Sequence, residues 1–363
     1  MSFLHTNGNV SPSHTFTLAS RASQLAQIQT NIVRDALQAA HPSKSFSTSF
    51  MTTEGDKNQS QALYLLGGKA LWTKELEVAL KENAVDMLVH SLKDVPTSLP
   101  EGCEIGAILE REDPVDSLVV KEGLSYKTLD DLPVGSVVGT SSVRRVAQLR
   151  KAFPGLEFAD VRGNLNTRLA KLDSPTGVYS AIILAKAGLV RLGMGNRVTS
   201  DITAPVLYHA VGQGALGVEI RSDDAVAKEL CKALTHWQTE WMCRAERAML
   251  RVLEGGCSVP VGVHTEIKPL NASAVGPTRS RLTITGSVTA ITGQTHVVHE
   301  LVEDVSNVHD VDVVGEKLAK ILMENGAKAI LDDINADRES RKGVDKTQAE
   351  VKVVEDTMHA VAQ

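Results

Sequence analysis

The sequence predicts an α/β protein with a small α+β domain at its C-terminal end. From Thr15 to about Arg111, and again from about Asp113 to Tyr208, short apolar strands alternate with helices, a pattern typical of largely parallel sheets. Beyond residue 235 the pattern changes to a long helix, a strand pair and a final helix. Because 363 residues are too many for one ordinary domain, we expect two or three.

The composition excludes several classes of protein. A net charge of −6 argues against a nucleic-acid partner, and no apolar run is long enough to span a membrane. The four cysteines show no CxxC spacing, so neither a zinc site nor thioredoxin chemistry is predicted, and no other metal site is expected. The first 20 residues lack the features of a secretory signal and contain no arginine, which predicts a cytoplasmic protein.

The first predicted strand, Phe16 to Ala19, ends at a turn that presents Arg21 and Ser23. Ligands of open α/β sheets bind beyond the carboxyl ends of the strands, so both residues are candidates for substrate binding. The next helix is predicted from apolar residues at helical spacing, which we expect to face the core: Leu25, Ile28, Ile32 and Ala36.

A polar, glycine-bearing segment between Thr53 and Ala70 is predicted to be a mobile loop over the site. Its Gly68-Lys69 pair superficially suggests a phosphate-binding loop. That motif needs Ser or Thr at the position of Ala70 and a glycine five residues before Gly68, and the chain has neither. No nucleotide site is predicted here.

The apolar run from Met87 to Val89 predicts a buried strand, and Lys93 and Asp94 follow at its exit. Asp94 is either a counter-ion for nearby arginines or a group that acts on a cationic or N–H-bearing ligand. His90 is interpreted as a hydrogen-bonded core residue and not as a ligand.

Two adjacent arginines, Arg144 and Arg145, open a predicted helix in the middle of the chain. A strand is predicted over residues 134–138, and Ser142 is suited to cap the helix. The helix dipole favours an anion at this end, so the two guanidinium groups indicate an anion-binding site, unless both point to solvent. The apolar face is predicted to comprise Val143, Val146, Ala147 and Leu149.

The same arrangement recurs later in the chain. Arg162 follows a strand predicted over residues 157–161, and Arg168 lies on a helix predicted over residues 166–172. Arg191 lies near the end of a further helix. Because this repetition disfavours a purely solvated role, we expect a ligand with several carboxylates or phosphates.

The segment from Gly212 to Gly217 matches the letters of a dinucleotide-binding motif. Residues 218–220 read as a strand, whereas that motif needs a helix to receive the pyrophosphate, so a nucleotide site is not predicted. The segment is interpreted as a crossing of the backbone between domains, with Gln213 available as an amide contact.

The C-terminal region carries a cysteine on a predicted loop. Cys257 follows two glycines, which leave the thiol open to a ligand, although a buried structural cysteine is an alternative. The helix before it is predicted from Trp241 to Leu253, with Met242, Ala245, Met249, Val252 and Leu253 inward. Strands are predicted over residues 282–290 and 295–302, a helix over 311–325, and a loose tail over 335–363.

These features leave two classes of function open. A non-catalytic binding protein for a small polyanion would use the same arginines without needing Cys257. A cysteine-nucleophile acyltransferase would need a histidine partner, and His264 is the only histidine close in sequence.

From about Thr15 to Asp333 the chain resembles the porphobilinogen deaminase family. The resemblance is carried by five motifs in order: His90 to Pro96, Gly139 to Arg145, Asp160 to Asn164, Gly212 to Gly217, and Glu246-Arg247 leading to Gly256-Cys257-Ser258-Val259-Pro260. Ala70 and Trp72 depart from the pattern, because the family commonly has Gly and Phe there.

The resemblance implies three domains: residues 1–111 with 212–235, residues 112–211, and residues 236–363. The first two would resemble periplasmic binding proteins and enclose a cleft, and the protein would be a monomer. The family joins four porphobilinogen molecules head to tail on a dipyrromethane cofactor, which Cys257 would hold through a thioether.

The resemblance also implies roles for the charged residues, because each porphobilinogen carries an acetate and a propionate. Cofactor binding is expected from Lys93, Asp94, Ser142, Arg144, Arg145 and Arg168. Substrate binding is expected from Arg21, Ser23, Arg162, Arg168, Arg191 and Gln213. Asp94 would also be the catalytic residue, since a carboxylate beside the pyrrole N–H groups stabilises positive charge that develops when ammonia leaves.

Overall fold

Three sheets organise the computed structural model, which describes residues 14–53, 73–253, 259–271 and 276–336. The first sheet has the order β2-β1-β3-β10-β4, and β10 runs antiparallel to both of its neighbours. Its strands are β1 (Thr15–Arg21), β2 (Ser45–Met51), β3 (Met87–Ser91), β4 (Cys103–Ile108) and β10 (Leu216–Arg221).

The second sheet repeats this arrangement with the order β7-β6-β8-β5-β9, in which β5 is the antiparallel strand. Its strands are β5 (Asp116–Val120), β6 (Val137–Gly139), β7 (Glu157–Ala159), β8 (Ala181–Ala185) and β9 (Ser200–Ile202). In each sheet the antiparallel strand is the one that directly follows a crossing of the chain from the other sheet: β5 follows the first crossing and β10 the second. The chain therefore crosses twice, over residues 109–115 and 203–215.

Helices begin directly at the carboxyl ends of several strands. They are α1 (Gln24–Ala40), α2 (Lys74–Lys81), α3 (Val143–Ala152), α4 (Leu165–Asp173), α5 (Lys186–Arg191) and α6 (Ala225–Lys232). Ser23, Ser142 and Asn164 cap α1, α3 and α4 by accepting a hydrogen bond from a first-turn backbone N–H. Within the described ranges, no helix combines the length and the apolar character that crossing a membrane requires.

The buried face of α1 differs from the prediction. Gln29, Thr30, Val33 and Leu37 are buried, whereas Ile32 is 42% exposed. The cause is polar: the Gln29 amide donates to the Ser91 hydroxyl at 2.9 Å, and the Thr30 hydroxyl donates to the Ser20 hydroxyl at 2.6 Å. Hydrogen bonds to the sheet therefore rotate the helix by about one residue from its most apolar face.

Two further predictions around the central helix are also corrected. The strand predicted over residues 134–138 begins only at Val137, because Gly135 forms a turn at φ 81° and Val134 is 89% exposed. The buried side of α3 includes Arg144, Arg145 and Gln148, which hydrophobicity had placed on its polar side.

The third domain is a three-stranded antiparallel sheet covered by two helices. It comprises α7 (Trp237–Val252), β11 (Val261–Pro269), β12 (Ser280–Thr289), β13 (His296–Val305) and α8 (Val308–Leu322). The helix α7 starts four residues before the predicted position, Met242 and Val252 are only partly buried, and Glu246 and Arg247 are buried instead. The predicted fold class, two α/β domains with a smaller α+β domain, is confirmed; the boundaries at residues 111, 211 and 235 stay predictions.

A buried ion pair ties both chain crossings to the third domain. The two Glu246 carboxylate oxygens accept hydrogen bonds from Arg111 Nη1 and Nη2 at 2.7 and 2.9 Å. The carboxylate also accepts hydrogen bonds from the Gly212 N–H at 2.7 Å and from the Thr265 hydroxyl. Burial alone would raise the pKa of Glu246, but Arg111 lowers it to about 2.

We expect Glu246→Ala to destabilise the protein by roughly 3–5 kcal/mol, because it leaves the buried Arg111 guanidinium unpaired. Chemical denaturation would measure the loss. Glu229→Ala is the matched control, since Glu229 forms an exposed pair with Lys232 that should contribute little. Equal effects of the two substitutions would contradict the structural role of Glu246.

His209 lies at the second crossing, and its Nε2 is buried without a hydrogen-bond partner in the described part of the chain. Burial and the Arg111 charge lower its pKa to about 4, so the folded protein resists protonation that the unfolded chain accepts near pH 6.5. Stability is therefore complete above pH 6.5 and falls as the pH drops towards 4, by on the order of 3 kcal/mol. His209→Gln should flatten this part of the stability profile, whereas His309→Gln on the surface should leave it unchanged.

Candidate active site

A cavity of about 580 Å³ lies between the two five-stranded sheets and is bordered by the third domain. Its volume falls in the range of small-molecule sites. Every predicted site residue that the structure describes lines it: Arg21, Ser23, Lys93, Asp94, Ser142, Arg144, Arg145, Arg162, Arg168, Arg191 and Gln213. The carboxyl ends of β1 and β3 and the N-terminal regions of α3 and α4 supply most of these residues.

The adjacent arginines at the start of α3 are buried, so the alternative in which both point to solvent is wrong. Arg144 and Arg145 are only 5% and 6% exposed. Their Nη2 atoms contact the two oxygens of the Asp116 carboxylate at 2.8 and 2.7 Å. The protein itself therefore supplies, in Asp116, one negative charge to the arginines at the start of α3.

Asp116 does not line the cavity but contacts the cavity-lining Arg144 and Arg145, and the sequence analysis did not identify it. Burial alone would raise its pKa, but Arg144 and Arg145 hold the pKa far below the usual range, so the carboxylate is ionised. The sequence offered one indication of its burial: an acidic residue directly precedes the mostly apolar run from Ser117 to Val120. The same segment also contains a proline. An aspartate in such a position usually belongs to a surface turn.

Lys93 and Gln213 extend this network towards the first domain. The Lys93 ammonium donates to Gln213 Oε1 at 3.3 Å, and Gln213 Nε2 donates to Asp116 Oδ1 at 2.9 Å and to the Pro114 carbonyl at 2.6 Å. Burial lowers the pKa of Lys93 to about 8, although Asp94 opposes the shift. Both ends of the Gln213 amide are therefore engaged by the protein.

Asp94 ends a single 3₁₀ turn, Leu92–Asp94, which follows β3 directly. The segment from Gly212 to Gly217 packs closely against other backbone segments. A Cβ on Gly212 would lie 3.2 Å from the Lys93 backbone nitrogen, and one on Gly214 only 2.2 Å from the Glu112 carbonyl oxygen. The strand β10 follows this glycine-rich segment, as predicted. These glycines therefore serve the close approach of two backbone segments, and the interpretation as a domain crossing is confirmed.

Two further cations approach from the second domain. Arg168 Nε donates to the Gly163 carbonyl at 2.8 Å, and Arg191 Nη2 donates to the Gly214 carbonyl at 2.6 Å. Burial and then the Arg145 and Arg162 charges lower the pKa of Arg168 to about 10, and burial likewise lowers the pKa of Arg191. Because burial is the main cause of both shifts, an anionic ligand beside these two guanidinium groups would stabilise their charged forms.

The cavity therefore suits a ligand with several carboxylates, such as a dipyrromethane. The concentrated positive charge favours anions, and Arg145 Nε is a buried donor with no hydrogen-bond partner among the described residues. Apolar residues of the third domain (Leu250, Val259 and Val261) border the same space and are suited to pyrrole rings.

Several predicted features fall elsewhere. Cys257 in the thiol loop, and Ala70 and Trp72 in the predicted mobile loop, lie outside the described residues. His90 is a core residue, as predicted, with Nε2 3.1 Å from Glu219 Oε2. His264 lies on β11 with a side chain that is 43% exposed, 3.6 Å from Glu266, and it does not line the cavity.

Comparisons with known proteins bear on the same region. A family model described as "Porphobilinogen deaminase, dipyromethane cofactor binding domain" matches residues 16–229, and one for the C-terminal domain of the same family matches residues 241–324. A porphobilinogen deaminase of Nostoc sp. is 50% identical over 89% of this chain and 95% of its own length. One from Yarrowia lipolytica is 48% identical over 87% of this chain and 92% of its own length.

The periplasmic VFT2 domain of BvgS from Bordetella pertussis is a more distant match, at 11% identity over 64% of this chain and 92% of that domain, with a TM-score of 0.38. The family models and the two close relatives together span nearly all of the described residues. On these grounds, the chain belongs to the porphobilinogen deaminase family.

Proposed function

We propose that the chain is a hydroxymethylbilane synthase. It would remove ammonia from four porphobilinogen molecules, join them head to tail on a dipyrromethane primer, and release the linear tetrapyrrole by hydrolysis. The observation that carries the proposal is that one cavity is lined by the carboxylate of Asp94, by Lys93 and by six arginines. The proposal includes a cytoplasmic monomer with no nucleic-acid or membrane partner.

The arginines give the cavity its affinity for substrate. Each porphobilinogen carries two carboxylates, which guanidinium groups bind with two parallel hydrogen bonds. Arg21, Arg162 and Arg191, together with Ser23 and Gln213, would bind the incoming molecule. Since these residues come from both α/β domains and from a crossing, substrate binding would hold the two domains together.

The residues around α3 would hold the dipyrromethane, with Lys93, Asp94, Ser142, Arg144, Arg145 and Arg168 as its contacts. When bound, this group supplies the pyrrole carbon to which the first substrate molecule is joined. We propose Cys257 as its point of attachment, because Cys257 precedes by two residues Val259, which lines the cavity.

Asp94 would stabilise the positive charge that develops on the substrate when ammonia leaves. A fixed, partly buried carboxylate interacts with such a charge more strongly than in bulk water, because fewer water molecules screen it. The arginines that line the same cavity would bind the substrate carboxylates and so orient the reacting part of the substrate beside Asp94.

The test is the stoichiometry of the products. We expect purified protein and porphobilinogen to yield four molecules of ammonia for each linear tetrapyrrole released. A binding protein for polyanions would retain porphobilinogen without releasing ammonia, and that outcome would overturn the proposal. An acyltransferase would leave porphobilinogen unchanged, and the exposed position of His264 already gives that class little support.

A further inference from the structure

Asp116 is the centre of the polar network around the proposed cofactor site. Its side chain has no exposed surface, and it contacts Arg144 Nη2, Arg145 Nη2 and Gln213 Nε2 within 2.7–2.9 Å. Through Gln213 it is also connected to Lys93. Asp116 thereby links the second domain to the turn that carries Lys93 and Asp94 in the first.

The backbone positions of this network are fixed by the second sheet. Asp116 begins β5 and pairs with Ala185 on one side and Ile202 on the other. Arg145 Nη1 donates to the Ile183 carbonyl at 2.7 Å, and Arg144 Nη1 donates to the Tyr208 carbonyl at 2.6 Å. Each guanidinium therefore has two anchors and retains further N–H donors for a ligand.

We propose that Asp116 is a positioning residue: it holds Arg144, Arg145 and, through Gln213, Lys93 in the arrangement that binds the carboxylates of the dipyrromethane. This inference rests on the proposed function for the identity of the ligand. The Asp116 carboxylate lies between two guanidinium groups that would otherwise repel each other. It neutralises one of their two charges and leaves a net positive charge for the ligand.

The charge state of Lys93 gives a direct measure of this role. Asp94 and Asp116 favour its ammonium form, whereas burial and the charges of Arg144 and Arg145 oppose it. When Asp116 loses its charge, Asp94 is the only one of these two carboxylates that still favours the ammonium form of Lys93. Lys93 should then lose its proton at a lower pH.

The first experiment measures Lys93 itself in a Cys257→Ser background, so that no covalent dipyrromethane alters the charges around it. Acetic anhydride modifies neutral amines, so its rate of reaction with Lys93 as a function of pH, followed by peptide mass spectrometry, reports the titration. In Asp116→Asn we expect the midpoint to fall by about one pH unit from its value near 8. Asp113→Asn is the matched control, because this nearby aspartate is exposed and pairs with Lys186. An unchanged midpoint in Asp116→Asn would overturn the proposal.

The second experiment measures the consequence for the ligand. Intact-protein mass spectrometry of Asp116→Asn should show at least about tenfold lower occupancy of the dipyrromethane adduct above pH 7.5, by loss of charge-assisted hydrogen bonds. Adding Lys93→Arg, which keeps its charge, should remove most of the pH dependence. Wild-type occupancy at every pH would contradict the positioning role.

A milder variant covers the case in which Asp116→Asn does not fold. Gln213→Met breaks the link between Asp116 and Lys93 and leaves both arginine contacts in place, so it should also lower the Lys93 midpoint. No shift in a folded Gln213→Met would contradict the link. Because Lys93 titration needs no substrate, a failed synthase assay of the wild type would count against the proposed function alone.

Discussion

Asp94→Asn should lower the rate of tetrapyrrole formation at least about 10²-fold while leaving the fold intact. The substitution preserves the shape of the side chain and removes only its charge, so the positive charge that develops as ammonia leaves would lack its stabilising carboxylate. Asp94 is only half-buried at the end of a single turn, and its loss opens no cavity in the core. Fixed-time assays of released ammonia and tetrapyrrole would measure the rate, and thermal unfolding would check the fold.

The comparison must separate catalysis from loading of the cofactor, because Asp94 is also a proposed contact of the dipyrromethane. Adduct occupancy should therefore be measured by mass spectrometry first, and the rate expressed per loaded molecule. Asp130→Asn, at an exposed aspartate of the second domain, should behave as wild type. A loaded Asp94→Asn enzyme within twofold of the wild-type rate would show that the catalytic assignment is wrong.

Cys257→Ser should abolish both the covalent adduct and the activity, because a serine hydroxyl at neutral pH is too weak a nucleophile to form the corresponding ether. The wild type as purified should carry the mass of a dipyrromethane. If it does not, adding porphobilinogen should produce that mass. An adduct that persists in Cys257→Ser would place the attachment on another residue.

The other cysteines provide the control for this prediction. Burial raises the pKa of Cys103 to about 11 and the pKa of Cys231 and Cys243 to about 12. Thiols in such surroundings are poor nucleophiles at neutral pH. Cys103 is the most accessible of the three, so Cys103→Ser is the appropriate variant, and it should retain both the adduct and the activity.

Features that depend on local pattern were predictable from the sequence. The strand ends that carry Arg21, Asp94 and Arg162 were located because a buried strand followed by a polar turn is a strong signal. Such turns converge at the carboxyl edge of a sheet, so their side chains were expected to share one site. The structure places them along one cavity, while their individual roles stay predictions.

Features that depend on long-range polar contacts were not predictable. Asp116, Glu246 and Arg247 are charged residues whose burial is possible only because partners from distant parts of the chain pair with them. The inward face of α1 was misjudged for the same reason, since Gln29 and Thr30 are held by Ser91 and Ser20. Hydrophobicity ranks such residues as exposed, and a single sequence does not reveal their partners.

The interleaved strand order of the first sheet bears on how the chain is made. On the ribosome, β1 to β4 emerge first, but β4 has no neighbour in its sheet until β10 fills the gap between β3 and β4. The second sheet, by contrast, is complete once residue 202 has emerged, before any of β10 has emerged. The middle of the chain can therefore fold first during translation, and a premature stop before residue 216 would leave β3 and β4 as open, aggregation-prone edges.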